Sequence, residues 1–176
     1  ITAVVERTPG NVAIFFPSFS YLSMVLSEID ALQRRVIIQR RRMNESDRLK
    51  VVESLLQNDD IVLFAVMGGI FSEGIDLPGR ALSCSVLIGP ALPQASFSRR
   101  LIQQWHQKRS GNGFRNAWII PGMSKVSQAA GRVIRTPEDR GVVVLVGARF
   151  AQPEYHSLFP KEWELTNTND LRADLS

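Results

Sequence analysis

The run Gln128-Ala129-Ala130-Gly131-Arg132-Val133-Ile134-Arg135 carries two interleaved patterns. Apolar residues recur at Val126, Ala129, Ala130, Val133 and Ile134, close to the i, i+3, i+4, i+7 spacing of a buried helical face. Gln128, Arg132 and Arg135 stand at i, i+4 and i+7. At ~100° per residue they fall within roughly 60° of one another and share one polar stripe. The run therefore predicts the end of an amphipathic helix with Gly131 inside it. Glycine costs roughly 1 kcal/mol there relative to alanine, which predicts close approach of another backbone or a ligand. Two guanidiniums and an amide on one stripe suit the gripping of a planar or phosphate-like anion. Two solvated surface arginines would explain part of this. They would not explain the Gln and Gly spaced with them, the apolar opposite face, or the apolar run 141–146 that follows at once.

Outward from that run, short apolar stretches alternate with helical patterns. Residues 11–16, 36–38, 61–67, 84–88 and 141–146 predict strands. Those at 11–16 and 61–67 are nearly continuous apolar runs, as in strands buried on both faces of a parallel sheet. Between them lie helix patterns. Ser18 is placed to cap a helix from Tyr21 to about Leu32, with Leu22, Val25, Leu26 and Ile29 inward. Asn44 or Ser46 is placed to cap Asp47–Leu56, with Leu49, Val52, Leu55 and Leu56 inward. Residues 96–109 form a polar, basic helix expected on the outside, and Pro121-Gly122 is expected to interrupt the apolar piece 117–120. The alternation predicts an α/β domain with a mostly parallel sheet flanked by helices on both faces. Function in such folds gathers at the carboxyl ends of the strands.

Bulk properties fit one domain. The 176 residues are 44% hydrophobic, enough for a sizeable core. No apolar run reaches the ~18 residues of a membrane span, and no membrane partner is expected. The chain begins at Ile1 without a signal-peptide pattern and is expected to be a piece of a larger protein. Cys84 is the only cysteine, so no disulfide framework or cysteine-rich metal site is expected, and the setting is expected to be reducing: cytoplasmic, or associated with the nucleoid. The net charge is +4, with Arg34, Arg35, Arg40, Arg41 and Arg42 clustered early and Arg99, Arg100, Lys108, Arg109 and Arg115 later. A basic cluster is commonly a solvated face; two of them beside an anion-gripping helix favour a polyanionic partner.

Three motifs stand in order. Phe16-Pro17-Ser18-Phe19 follows the first strand, and Ser18 can offer a hydroxyl and a helix N-terminus to a phosphate, or serve only as an N-cap. Gly69-Ile70-Phe71-Ser72-Glu73-Gly74-Ile75-Asp76-Leu77-Pro78-Gly79 follows the third strand; an Asp76 turn capping its own backbone would explain one residue of that string. Gln128 to Arg135 is the third. These resemble motifs IV, V and VI of the DinG/XPD-like branch of superfamily-two helicases, and the likeness covers roughly residues 10–160.

The resemblance implies the second RecA-like motor domain of a DNA helicase working in DNA repair, over residues 1–160, with a polar tail at 161–176. It implies arginine fingers at Arg132 and Arg135, nucleotide contacts at Gly74, Asp76 and Gln128, and nucleic-acid contacts at Ser18 and Ser72. ATP and magnesium would be shared with a first RecA-like lobe of the same polypeptide, and single-stranded DNA would be the partner, with 5′→3′ unwinding. Asp139-Arg140-Gly141 and Arg149-Phe150 match the family's continuation, but Gly147 stands where an acidic residue is common, so no role is carried to Arg149. The chain has no GxxxxGK[ST] loop and no DEAH-like acidic box. An iron–sulfur cluster would belong to the parent protein only, and the fragment alone is expected to be inactive. Two other readings are a non-catalytic nucleic-acid-binding module on a degenerate RecA-like fold and a Rossmann-type metabolic domain. The latter is disfavoured because no strand is followed by GxGxxG.

Overall fold

A computed structural model describes residues 1–74, 81–134 and 139–168. Five parallel strands form one sheet: β1 (Val12–Phe16), β2 (Arg35–Ile38), β3 (Ile61–Val66), β4 (Cys84–Ile88) and β5 (Val142–Val146), in the order β2-β3-β1-β4-β5. The register sets Val12 opposite Val62 on one side and Cys84 on the other. Every residue of β1, β3 and β4 is buried, whereas the edge strands β2 and β5 are largely exposed. This is why the central strands read as unbroken apolar runs: both faces must be dry, so no alternation survives.

Two cores result, one on each face. Val12, Ile14, Phe16, Val62 and Phe64 pack under α1 (Thr2–Arg7) and α2 (Phe19–Glu28), with the Phe16 and Phe64 rings stacked at 5.7 Å. Ala13, Phe15, Leu63, Ala65 and Leu87 pack under α3 (Glu45–Gln57), α5 (Ile120–Ala130) and the short α6 (Pro153–His156). Each buried Leu, Ile or Phe contributes about 1.5–3 kcal/mol by leaving water. Ser18 caps α2 by accepting from the Tyr21 N–H at 3.1 Å, and Asn44 caps α3 by accepting from the Asp47 N–H at 2.8 Å. The basic helix α4 (Phe97–Ser110) buries no residue, as its composition predicts.

Four expectations need correction. First, α5 stops at Ala130, and Gly131 is its cap at φ −64°, ψ 2°, not an interior glycine. Among the described residues a Cβ there would meet only the Ser127 and Gln128 carbonyls, at 3.4 and 3.6 Å, so none of them requires glycine. Arg132 therefore lies in a turn beyond the helix, and the Gln128–Arg132 relation is not that of a continuous helical stripe. Second, α3 faces inward through Val51 and Leu55, while Leu49 and Leu56 are 61% and 47% exposed. The helix is rotated toward the pair that meets the sheet most squarely. Third, Pro121 does not interrupt: a π-helical turn, Arg115–Ile119, runs straight into α5, and Pro121 occupies the first turn, where no N–H partner is needed. Fourth, α2 ends at Glu28 and the chain turns extended at Ile29, short of Leu32.

Cys84 sits in the middle of this packing, fully buried on β4. Burial raises its thiol from 9.0 to about 11. The Thr8 hydroxyl, buried with no hydrogen-bond partner among the described residues, lies close enough to pull weakly the other way. The thiolate is the reactive species. At pH 8 the folded chain should therefore react with iodoacetamide roughly a hundredfold more slowly than the chain in denaturant, for ionisation alone. Equal rates, followed by mass spectrometry, would contradict that burial.

Candidate functional site

Two of the three motifs leave the carboxyl edge of the sheet, while the third lies at the foot of α5, with Ala129 beside Ser85 and Val133 beside Gly141 near the starts of β4 and β5. At the end of β1, Pro17 carries the chain out and Ser18 opens α2 on one face. At the end of β3, the chain turns toward the other face through Gly68-Gly69 into a π-helical turn, Ile70–Gly74. Neighbouring parallel strands that send their connections to opposite faces leave a crevice where ligands bind in such sheets.

The exit of β3 is held by a side chain the sequence did not single out. Gln39, 5% exposed just past β2, accepts from the Val66 N–H at 3.0 Å. A second residue, Lys125 on α5, lays its chain over Gly68: its Cε and Nζ stand 3.0 Å from where a Gly68 Cβ would be. Lys125 precedes Gln128 by three positions, the one signal that placed it near the motif. It brings a half-exposed cation to the loop.

At the entry to the π-helical turn the Ser72 and Glu73 N–H groups both donate to the Gly69 carbonyl, at 3.1 and 3.0 Å. Single π turns are rare and concentrate at functional sites. Ser72 is wholly buried, and its hydroxyl donates to the same Gly69 carbonyl at 3.0 Å. Its outward-acting group is instead its carbonyl, which accepts from Arg132 Nε at 2.9 Å. That bond joins the loop after β3 to the turn after α5, sixty residues apart in sequence. The turn holds its shape through Arg132 N–H to the Ala129 carbonyl and Val133 N–H to the Ala130 carbonyl, with Val133 fully buried beneath.

Gly74 is exposed at the end of the π turn, and among the described residues a Cβ there would meet only Ile70, at 3.9 Å, an ordinary contact. Gln128 is exposed on the last turn of α5. Of the expected site residues, the structure brings Ser72 and Arg132 into contact; Gly74 ends the same π turn and Gln128 the last turn of α5, whereas Ser18 opens α2 on the opposite face of the sheet, and Asp76 and Arg135 lie outside the described residues. Among the described residues no group of three or more His, Cys, Asp or Glu could hold a metal ion, and no helix is long and apolar enough to cross a membrane.

Gly147 also has a structural reason. It follows β5 at φ +143°, with its would-be Cβ 3.4 Å from Gly89 Cα. An L side chain is strained in that conformation, so an acidic residue would not be accommodated without moving the loop.

The basic clusters divide on inspection. The Arg34 guanidinium donates to the Val5, Thr8 and Gly10 carbonyls and its Nε to Asp60, tying chain segments together. Arg99 donates to the Ala117 carbonyl and Arg115 to the Glu154 carbonyl. Arg40 pairs with Asp47 at 3.0 Å, and Arg41 lies over the Phe19 ring at 4.8 Å. Half of the clustered cations are engaged in holding the fold.

Comparison with known proteins identifies the family and the fold. Residues 1–166 match the family model for the helicase C-terminal domain. The chain is 28% identical over 175 residues to the ATP-dependent DNA helicase CHL1 of Eremothecium gossypii, covering 87% of this chain and 22% of that protein. It is 28% identical over 185 residues to the ATP-dependent helicase DinG of Mycobacterium tuberculosis, covering 99% of this chain and 26% of that protein. The chain thus spans about a quarter or less of the curated relatives it matches. A solved XPD helicase superposes over 88% of this chain and 28% of its own with a TM-score of 0.70 at 22% identity, which shows the shared RecA-like fold. Matched over nearly its whole length, this chain belongs to the helicase C-terminal domain family.

Proposed function

We propose that this chain is the second motor lobe of an ATP-dependent DNA helicase, moving 5′→3′ on single-stranded DNA. One observation supports the reading above the rest. The Arg132 guanidinium is bonded through Nε to the Ser72 carbonyl, which ties the arginine-bearing turn to the π turn at the start of the Gly-rich loop. A lobe that must report the state of a nucleotide to a DNA strand needs such a mechanical link.

In this reading a first lobe of the same polypeptide holds ATP and magnesium. Arg132 and Arg135 reach across the cleft and offset the charge that develops on the transferred phosphoryl group. Gln128 and the bare backbone at Gly74 approach the nucleotide from this side, as does Asp76. Lys125 adds positive charge at the exit of β3. Ser18 opens α2 toward the DNA backbone, and Ser72 acts through its place in the loop, since its hydroxyl is turned inward. ATP supplies the free energy that closes and reopens the cleft, and this chain's residues bind, orient and sense.

The test compares the chain with the full-length protein. The purified 176-residue chain should show no ATP turnover, because the phosphate cradle and the acidic box are absent from its sequence. The full-length protein should hydrolyse ATP when single-stranded DNA is added. Robust hydrolysis by the isolated chain, free of contaminating ATPase, would falsify the half-motor reading.

A further inference from the structure

Helix α4 is inside out. Its residues that face the domain are polar: Arg99 donates to the Ala117 carbonyl, Gln103 accepts from the Trp118 ring N–H, and His106 meets the Asn116 amide. At ~100° per residue these three lie within roughly 60° of one another. The opposite side carries Phe97, Leu101 and Trp105, spaced i, i+4, i+8, and they are 75%, 48% and 54% exposed. A surface helix ordinarily buries its apolar stripe and exposes its polar one. Here the arrangement is reversed over fourteen residues with no buried side chain.

The charge on the helix tells what that stripe meets. Residues 97–110 contain Arg99, Arg100, Lys108 and Arg109, plus His106, and no Asp or Glu. Arg109 lies over the Trp105 ring with its guanidinium carbon 4.7 Å from the ring centroid. Lys108 shares a shallow depression with Leu101, Gln104 and Trp105. A helix of exposed rings flanked only by cations repels a basic protein face. It matches a strand that offers flat bases and a line of phosphates.

We propose that the outer face of α4 is a stacking platform for single-stranded nucleic acid, with Trp105 the principal ring and Lys108 and Arg109 on the phosphates. It deepens the nucleic-acid part of the motor-lobe reading and rests on it. None of the three motifs contributes a residue to it. The rings at Phe97 and Trp105 are separated by about 12 Å along the axis at a rise of ~1.5 Å per residue, so they would take bases that are not adjacent.

The experiment uses the present chain and a labelled oligothymidylate, followed by fluorescence anisotropy. Trp105→Ala should weaken binding about fivefold or more, while Trp105→Phe stays near wild type, since a phenyl ring still stacks. Intrinsic fluorescence should be quenched by the oligonucleotide in wild type and not in Trp105→Phe. Trp118 is tied to Gln103 and Trp163 is stacked on Phe159, so neither should report. The double variant Lys108→Gln/Arg109→Gln should reduce the slope of log K against log salt by about 0.7 for each phosphate left without its cation. Lys50→Gln on α3, which removes a cation elsewhere on the surface, should leave binding unchanged. Position 105 is exposed, so the fold should survive, and a thermal melt checks it. If wild type binds and Trp105→Ala binds equally, the platform is overturned while DNA binding by this lobe stands. If wild type does not bind at low salt, both fall. If wild type sediments as a dimer and Trp105→Ala as a monomer, the stripe is a contact between copies and the proposal is overturned.

Discussion

Arg135→Ala and Arg132→Ala in the full-length protein should each lower the DNA-stimulated ATPase rate by about a thousandfold, the magnitude typical of a lost arginine finger. The fold should survive both. Arg132→Ala loses the Nε bond to the Ser72 carbonyl, a net cost of about 1 kcal/mol. Arg→Lys should fail nearly as badly at either position, because an ammonium cannot present the forked, planar donor set. The two arginines should differ in a second readout. Arg132→Ala also unlinks the Gly-rich loop from the turn after α5, so it should weaken the dependence of turnover on DNA as well as turnover itself. If the arginines are ordinary surface cations, each pair they form is worth only about 0–1 kcal/mol, and mutation would leave turnover intact with a slightly shifted melt. Steady-state ATPase at saturating single-stranded DNA, with a thermal melt of each variant, decides between these. Near wild-type turnover in both Arg→Ala proteins would remove the finger assignment.

The parts of the fold that could be read in advance are those whose physics is local. β1, β3 and β4 are buried on both faces, so their sequences had to be continuous apolar runs, and they were found within a residue or two. Ser18 and Asn44 cap their helices through contacts three residues away, which a sequence displays directly. The end of α5 misled for a specific reason. Val133 stays fully buried although the backbone has left the α-helix, because i→i+3 bonds at Arg132 and Val133 keep the chain turning. Apolar spacing therefore continues one turn beyond the helix. What could not be read was anything that depends on a distant carbonyl. Arg34 looks like one member of a basic cluster, yet its guanidinium is occupied by main-chain oxygens from α1 and from the turns beside it. Gln39 likewise takes its role from the distant Val66 N–H, and the Ser72 carbonyl from the Arg132 side chain sixty residues on. The inversion of α4 was half legible: its exposure followed from composition, but which side faced the domain depended on the partners of Arg99, Gln103 and His106.

Asn11→Ala should be the most destabilising single polar substitution in the chain, at about 3–5 kcal/mol. Asn11 is 3% exposed at the amino edge of the sheet. Its Nδ2 donates to the Leu55, Asn58 and Ala81 carbonyls at 2.7, 2.7 and 3.0 Å, and its Oδ1 accepts from the Ile61 N–H at 2.9 Å. One side chain thus joins the end of α3, the start of β3 and the approach to β4. Alanine would leave the buried Ile61 N–H and at least one buried carbonyl without partners, and each orphan costs about 1–3 kcal/mol. A domain holds only about 5–15 kcal/mol in all, so the loss is a large fraction of it. Asn11→Asp discriminates the cause. The carboxylate has the same shape and still accepts from Ile61, but it sets a negative charge against three carbonyl oxygens with no water to screen it. At neutral pH it should be at least as damaging as alanine, which packing alone would not predict. Urea unfolding should show the midpoint falling in both variants with an unchanged slope, since the surface exposed on unfolding is the same. A loss below about 1 kcal/mol for Asn11→Ala, or a mild Asn11→Asp, would mean that the three carbonyls find other partners and that the amide is not what binds the amino edge together.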